Sequence, residues 1–340
     1  MGSQASESVQ SHALQTDLIV LMPVYNDWHA ASLLLADLDR VLAEARLSAH
    51  VVLVDDGSTV PPTSLESVGT FRAIARADIL GLRRNLGHQR AIAIALAWVA
   101  ENVAPGPVVV MDGDGEDAPS DVPRLLARSR ETGGHAVVFA ERIRRSEGLV
   151  FKAFYHLYRI WHLWLTGIPV RVGNFSLIPA SQLRRLVVVS ELWNHYAAAV
   201  FKARLPREFV PTVRAHRLSG KSQMNFVALV GHGLSALSVH AEIIGVRLLM
   251  LSLTIVTVTV VLLVAVVAIR LGTTLAIPGW ATTAFGILLV LLFQATAFAG
   301  AFVFLVLHAR SQPTFIPLRD YVYFVNVVEP FWPREPAREP

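Results

Sequence analysis

Five acidic residues fall within ten positions in Asp112-Gly-Asp-Gly-Glu-Asp-Ala-Pro-Ser-Asp121, directly after the apolar run Val108-Val-Val-Met111. Like charges crowded at the end of a buried strand need a compensating cation, a solvated turn, or both. Alternate side chains at a strand end project to the same side, so Asp112, Asp114 and Glu116 can meet one hard cation. Mg2+ and Mn2+ prefer such oxygen ligands and keep positions open for substrate phosphates. Gly113 and Gly115 permit the tight backbone that this needs. Asp-x-Asp is also a common pattern in surface loops, so its weight depends on the elements that position it. Asp117 reads as a shaper of the turn, and Asp121 as an acid at a helix start beside Pro123.

Those elements are legible as alternating strands and helices. Leu18-Ile-Val-Leu-Met-Pro-Val-Tyr25 and His50-Val-Val-Leu-Val54 are continuous apolar runs, as expected of strands buried on both faces. Asp78-Ile-Leu-Gly-Leu82 reads as a third, short strand and Pro107–Met111 as a fourth. Helical spacing covers residues 28–46, 64–76, and a stretch from Asn85-Leu-Gly-His-Gln89 to Asn102. This alternation predicts an α/β fold with a mainly parallel sheet and helices on both faces. Ligands of such sheets bind at the carboxyl ends of the strands. Here those ends carry Tyr25-Asn26-Asp27, Asp55-Asp56, Arg83-Arg84-Asn85 and Asp112-Gly113-Asp114.

The character changes after Glu141. Arg142, Arg144 and Arg145 form a basic cluster, followed by aromatics at Phe151, Phe154, Tyr155, Tyr158, Trp161 and Trp164. The cluster suits a phosphate or anionic lipid headgroups, and the aromatics suit packing, interface anchoring or a groove for a lipid chain. Phe226, Leu229, Val230, Leu234, Leu237, Ala241 and Ile244 recur at helical spacing, as in an amphipathic helix at a membrane interface or a soluble packing helix. Residues 248–269 and 281–307 then contain no charge. Each is long enough to cross a hydrocarbon core of roughly 30 Å. Arg247 precedes the first run, Arg310 and Arg319 follow the second, and only Arg270 lies between them, which predicts both ends on the cytosolic side. Residues 1–17 carry no basic and apolar leader pattern and read as a disordered tail.

Composition sets further bounds. The 340 residues are 53% apolar and contain no cysteine, which excludes disulfides, thiolate zinc sites and a cysteine nucleophile. The net charge of +4 comes mainly from arginine, since Lys152, Lys202 and Lys221 are the only lysines. That modest excess suits an anionic membrane surface or phosphate ligands, and no nucleic-acid partner is expected.

In order and spacing, Pro23-Val-Tyr-Asn-Asp27, Val54-Asp-Asp-Gly-Ser58, Asn85-Leu-Gly-His-Gln89 and Met111-Asp-Gly-Asp-Gly-Glu-Asp117 resemble the motifs of family 2 glycosyltransferases. The likeness continues through Arg142-x-x-Arg145, Val172-Gly-Asn-Phe-Ser-Leu177, Gly220-Lys-Ser222 and the two apolar runs, and is nearest to the polyprenyl-phosphate branch, which includes dolichyl-phosphate mannosyltransferases. It implies a Rossmann-like GT-A domain over 18–224, an interface helix over 225–245, two spans within 246–310, and a cytosolic tail over 311–340. It implies a membrane enzyme that transfers one sugar, with inversion, from a UDP- or GDP-linked donor to undecaprenyl or dolichyl phosphate. Pro23, Tyr25, Asn26, Asp55, Asp56, Asn85, His88 and Asp112 would bind the donor. Asp112, Asp114 and Glu116 would hold Mg2+ or Mn2+. Arg142 and Arg145, with Ser222, would hold the acceptor phosphate, and Asp114, Arg142 and Arg145 would carry catalysis.

The chain departs from the family pattern at Asn174, Ser176, Glu116 and Gln223-Met224, where Asp, Arg, Gln and Lys-Tyr are usual. A hydroxyl acceptor in cell-envelope polysaccharide synthesis, or a non-catalytic nucleotide-sugar-binding scaffold, therefore stays open, as does a homo-oligomer. A processive polysaccharide synthase would call for Gln-x-x-Arg-Trp and more spans, and the sequence has neither.

Overall fold

The structure, a computed structural model, describes residues 16–65, 68–142, 160–167, 172–219, 226–273, 279–311 and 315–333. Arg145 and Ser222, most of the aromatic run and most of the N-terminal tail lie outside them, as does the side chain of Arg142. Two compact units are present.

The first unit holds an eight-stranded mixed sheet in the order β7-β5-β6-β4-β1-β2-β3-β8. Its parallel centre comprises β1 (Leu18–Val24), β2 (Ala49–Asp55), β3 (Ile74–Leu82) and β4 (Val108–Val110). Side chains alternate across this sheet. Leu18, Val20 and Met22 of β1 pack in one core with Leu34, Leu35 and Leu38 of α1 (Trp28–Glu44) and with α3 (Val122–Glu131). Ile19 and Leu21 face the other core, beneath the Ala/Ile-rich α2 (His88–Asn102). Burial on both faces is why the strands read as unbroken apolar runs.

Beyond β4 the sheet becomes mixed. β6 (Val172–Ile178) runs antiparallel between β4 and β5 (Val137–Arg142), and β7 (Arg207–Thr212) pairs parallel with β5. The short α4 (Ala180–Leu186) and α5 (Tyr196–Lys202) join the α2 layer.

Two features of the sheet depart from the sequence reading. The helix expected over 64–76 is replaced by a turn at Thr63–Leu65 and by β3, which starts at Ile74. The cause lies on α1: the buried Asp39 carboxylate accepts the backbone N–H groups of Arg72, Ala73 and Ile74 at 2.8–3.0 Å, so a helix cannot use them. The second is β8 (Val325–Trp332), which follows the long apolar helices and pairs antiparallel with β3. Pro211 in β7 and Pro330 in β8 place a residue without an N–H on each edge, which discourages further strand pairing.

In the middle of β3, Asp78 is fully buried. Its carboxylate meets His50 Nε2 at 2.7 Å and accepts from Arg76 Nε at 2.8 Å. Burial pushes the Asp78 carboxyl up, but the bonds to His50 and Arg76 outweigh it, so the net shift is downward. A depressed carboxyl stabilises the fold above its unfolded value, and the contribution is lost as pH falls through the folded one. Asp78→Asn is therefore expected to cost most stability above about pH 5 and progressively less below about pH 4. Thermal unfolding of both proteins in detergent at several pH values measures this; a gap that widens in acid would contradict it.

The second unit contains α7 (Ala241–Gly272) and α8 (Trp280–Ser311), both long and apolar enough to cross a bilayer. They pack through small side chains: Ser252, Thr259, Ala295 and Ala299 are buried, and a Cβ at Gly245 would lie 2.5 Å from Val306. The amphipathic stretch expected over 225–245 breaks at 239–240. α6 (Phe226–Ser238) ends there, and α7 takes in the remainder.

Candidate active site

The carboxyl ends of β1, β2 and β4 and the start of α2 bring most of the predicted donor residues together. Asn26 follows β1 with φ +54°, and its Oδ1 accepts from the N–H groups of Thr59 (2.8 Å) and Val60 (3.1 Å). Its own N–H donates to Ser58 Oγ, and the Ser58 N–H donates to Asp55 Oδ1. These bonds lock the turns after β1 and β2 to each other. Pro23 is buried within β1, whereas Tyr25 is 40% exposed at the rim.

Asp56 is 3% exposed, and its two oxygens accept the backbone N–H groups of Leu86 (2.7 Å) and Gly87 (2.9 Å). It thereby holds the 83–87 turn, including the exposed Asn85, against the end of β2. Gly57 makes that approach feasible: at φ +69°, a Cβ there would sit 2.5 Å from the Asn85 nitrogen. Burial pushes the Asp56 carboxyl up, and the two N–H bonds only partly offset this.

The acidic turn after β4 obtains its compensating charge from a segment about a hundred residues away. Arg217 Nη1 lies 3.0 Å from Asp114 Oδ2 and the same guanidinium pairs with Asp27, while Arg214 pairs with Glu116. Two backbone bonds, Ala215 N–H to the Glu116 carbonyl and Leu218 N–H to the Asp114 carbonyl, lay the 213–219 segment along the turn. Leu218 rests on Gly115, where φ is +84° and any Cβ would collide with it. Asp117, 3% exposed, shapes the turn by accepting the Asp112 N–H. Burial pushes the Asp114 carboxyl up and the nearby Asp112 adds to this; Arg217 and Arg214 pull the other way, and the net shift is upward. His88 Nε2 stands 3.1 Å from Asp112 Oδ1. Desolvation pushes the imidazole down, but Asp112, Asp117 and Asp114 outweigh it and raise it.

Arg214 and Arg217 were not singled out from the sequence. The signal was present three residues before Gly220-Lys-Ser222, in Arg214-Ala-His-Arg217. Arginine suits the task, because its planar fork can serve two carboxylates at once, as Arg217 does.

The acidic turn offers oxygen donors to a divalent ion. Carboxylates are the right chemistry, but among the described residues no three acidic or histidine groups close on one point. Glu116 is turned to Arg214 and Asp114 to Arg217, so a metal held by Asp112 and Asp114 would take the place of Arg217 on Asp114 and be completed by ligand oxygens.

Residues 19–186, which hold every strand end just described, match the family description "Glycosyl transferase family 2". This segment is a glycosyltransferase family 2 domain. Its mainly parallel sheet with helices on both faces is the GT-A architecture that the motifs implied. Residues 172–178, with Asn174, lie inside the family 2 match, whereas Arg214, Arg217 and the two apolar helices lie beyond it.

Among curated relatives, an uncharacterized glycosyltransferase of Synechocystis sp. is 23% identical over 215 residues, covering 62% of this chain and 65% of that protein. An undecaprenyl-phosphate 4-deoxy-4-formamido-L-arabinose transferase of Klebsiella pneumoniae is 23% identical over 217 residues, covering 62% and 63%. The chain thus matches slightly under two thirds of the length of either relative. Among solved structures, glucosyl-3-phosphoglycerate synthase from Mycobacterium tuberculosis, in complex with Mn2+, UDP-glucose and phosphoglyceric acid, is 16% identical with a TM-score of 0.47, covering 68% of this chain and 80% of that one.

Proposed function

We propose that the chain is a membrane-anchored, inverting glycosyltransferase that moves one sugar from a UDP- or GDP-linked donor to polyprenyl phosphate, undecaprenyl or dolichyl, at the cytosolic face of the membrane. The observation that carries this reading is the convergence, on a family 2 domain, of the Asp56-held turn and the Asp112/Asp114 turn, in a chain that also has two bilayer-length helices. The undecaprenyl-phosphate transferase among its relatives supports the acceptor class.

In this reading Asn26, Asp55, Asp56 and Asn85 border the nucleoside end of the donor. Asp112 and Asp114 hold Mg2+ or Mn2+, which when bound offsets the charge that builds on the leaving nucleoside diphosphate. Arg214 and Arg217 add two guanidinium groups at the same strand end, donors well matched to phosphate oxygens. Arg142, at the end of β5, with Arg145 and Ser222, takes the acceptor phosphate. That phosphate is already an anion at neutral pH, so the chain must position it more than deprotonate it.

The deciding experiment supplies membranes containing the protein with UDP- and GDP-sugars, Mg2+ or Mn2+, and three acceptors: undecaprenyl phosphate, dolichyl phosphate and an unphosphorylated polyprenol. Transfer confined to the phosphorylated lipids is expected. Transfer to the hydroxyl alone, or none, would overturn the reading.

β8 supports a double crossing in this reading. The segments flanking the apolar helices are strands of one sheet, β7 before them and β8 after, so two membrane crossings return the chain to the side it left. The natural chain lacks cysteine, so single-cysteine variants label cleanly. Glu101→Cys and Asn326→Cys are expected to react with an impermeant maleimide from the same face of sealed vesicles, and Thr273→Cys from the opposite one. Labelling of all three from one face would contradict a double crossing.

A further inference from the structure

Gln294 of α8 is an exposed polar side chain at the centre of an apolar span. It stands midway along the uncharged run 281–307, thirteen residues from either end. At about 1.5 Å per residue, roughly 20 Å of helix lies on each side, too far for its short side chain to reach water. Threonines in the same two helices are satisfied locally. Thr254, Thr257 and Thr259 of α7 and Thr296 of α8 each donate to the carbonyl four residues earlier at 2.7–2.9 Å. The Gln294 amide carries two N–H donors and an acceptor oxygen, and among the described residues no group hydrogen-bonds to it. Hydrocarbon offers neither donor nor acceptor, so an amide that faces it is costly.

The residues flanking Gln294 form a helix-packing face. Ile287, Val290, Gln294, Ala297, Ala301 and Phe304 follow one another in steps of three and four, and all are exposed. That spacing is the seam of a left-handed helix pair, in which small residues let two backbones approach. It is a different seam from the one with α7: the buried Ala295 and Ala299 lie about 100–140° round the helix from Gln294. An occupant of the exposed seam has to bring a donor and an acceptor to the depth of Gln294. Lipid tails and an isoprenoid chain bring neither. A second copy of α8, inserted in the same orientation, brings the same carboxamide to the same level, and two carboxamides exchange a pair of N–H···O bonds. In a two-fold pair identical positions face each other across the axis, so one polar residue at such a position fixes register and partner number. We infer that the chain self-associates through this face of α8, with Gln294 bonded to the same amide of a second copy near the bilayer midplane. The inference rests on α7 and α8 being membrane spans; it does not depend on the transfer chemistry.

The test uses the full chain, purified and reconstituted in liposomes at rising lipid-to-protein ratio. With no natural cysteine to interfere, Ala297→Cys and Ala301→Cys report on the seam, and Val303→Cys, exposed on another face of α8, is the control. Copper–phenanthroline oxidation is expected to give a covalent dimer from positions 297 and 301 that persists on dilution in lipid, and little from 303. Adding Gln294→Leu, which keeps the side-chain size and the apolar span, to Ala297→Cys is expected to weaken association at least about fivefold, the scale of one hydrogen bond between helices in a membrane. Equal crosslinking at all three positions, crosslinking unchanged by Gln294→Leu, or no dimer at all would overturn the pairing. Alkaline carbonate extraction of the source membranes separates the two readings. Release of the chain into the supernatant would overturn the membrane spans, whereas a chain that stays in the membrane but does not crosslink would overturn the self-association alone.

Discussion

Asp114→Ala is expected to lower sugar transfer by about a thousandfold or more, the scale seen when a preorganised electrostatic group is removed from a site where charge develops. The structure shows why this carboxylate differs from its neighbours. Asp117 is committed to the Asp112 N–H, while Glu116 and Asp114 each face an arginine, Arg214 and Arg217. Asp114 keeps one oxygen on the Glu116 N–H and faces Arg217 with the other. Burial and Asp112 raise its carboxyl, so the ionised form is costly and an incoming cation relieves it. Losing Asp114 also leaves Arg217 to Asp27 and the Ser219 carbonyl. Turnover at saturating Mg2+ or Mn2+, compared with Mn2+ affinity in the presence of the nucleoside diphosphate, measures both effects. Activity within a few-fold of the wild type would remove Asp114 from the metal-binding set.

How much of this was legible beforehand follows from the range of the interactions. The central strands were legible because burial on both faces leaves an unbroken apolar run, and the strand-end acids followed from the topology rule. The counter-ions of those acids were not, since Arg214 and Arg217 sit on an irregular segment with no periodicity to place it. β8 was hidden for a related reason. Val325-Asn-Val-Val-Glu-Pro-Phe-Trp332 has an edge strand's broken alternation and lies beyond two long apolar helices. The helix expected over 64–76 failed because one distant carboxylate, Asp39, took three backbone N–H groups that local pattern assigned to a helix. Asn174 and Ser176 stood out only as departures from a pattern. Their reason for belonging together is a tertiary fact: Ser176 meets the Tyr196 phenol, and Gln89 joins the Tyr196 backbone to Asn174.

Asp56 joins fold and site in one side chain, so its replacement is expected to show in two separable measurements. Asp56→Ala leaves the Leu86 and Gly87 N–H groups without their acceptor beneath a turn that Gly57 already brings into close contact. At about 1–3 kcal/mol for each buried unsatisfied donor, a stability loss of roughly 2–6 kcal/mol follows. Asp56→Asn keeps one oxygen acceptor and turns an NH2 toward the other N–H, so about half that loss is expected, with the fold retained. The donor effect need not scale in this way. In the transferase reading the carboxylate also accepts from the donor's nucleoside, and an amide in its place removes a charged acceptor and loosens the 83–87 turn. Asp56→Asn is therefore expected to raise the donor KM at least about tenfold, in line with the 1.5–3 kcal/mol typical of a hydrogen bond to a charged group, with little change in the acceptor KM. Unfolding temperature and the two KM values, determined on the same preparation, separate the roles. A destabilised Asp56→Asn with an unchanged donor KM would leave Asp56 as a staple of the fold, and the nucleoside contact would have to come from Asn26, Asp55 or Asn85 instead.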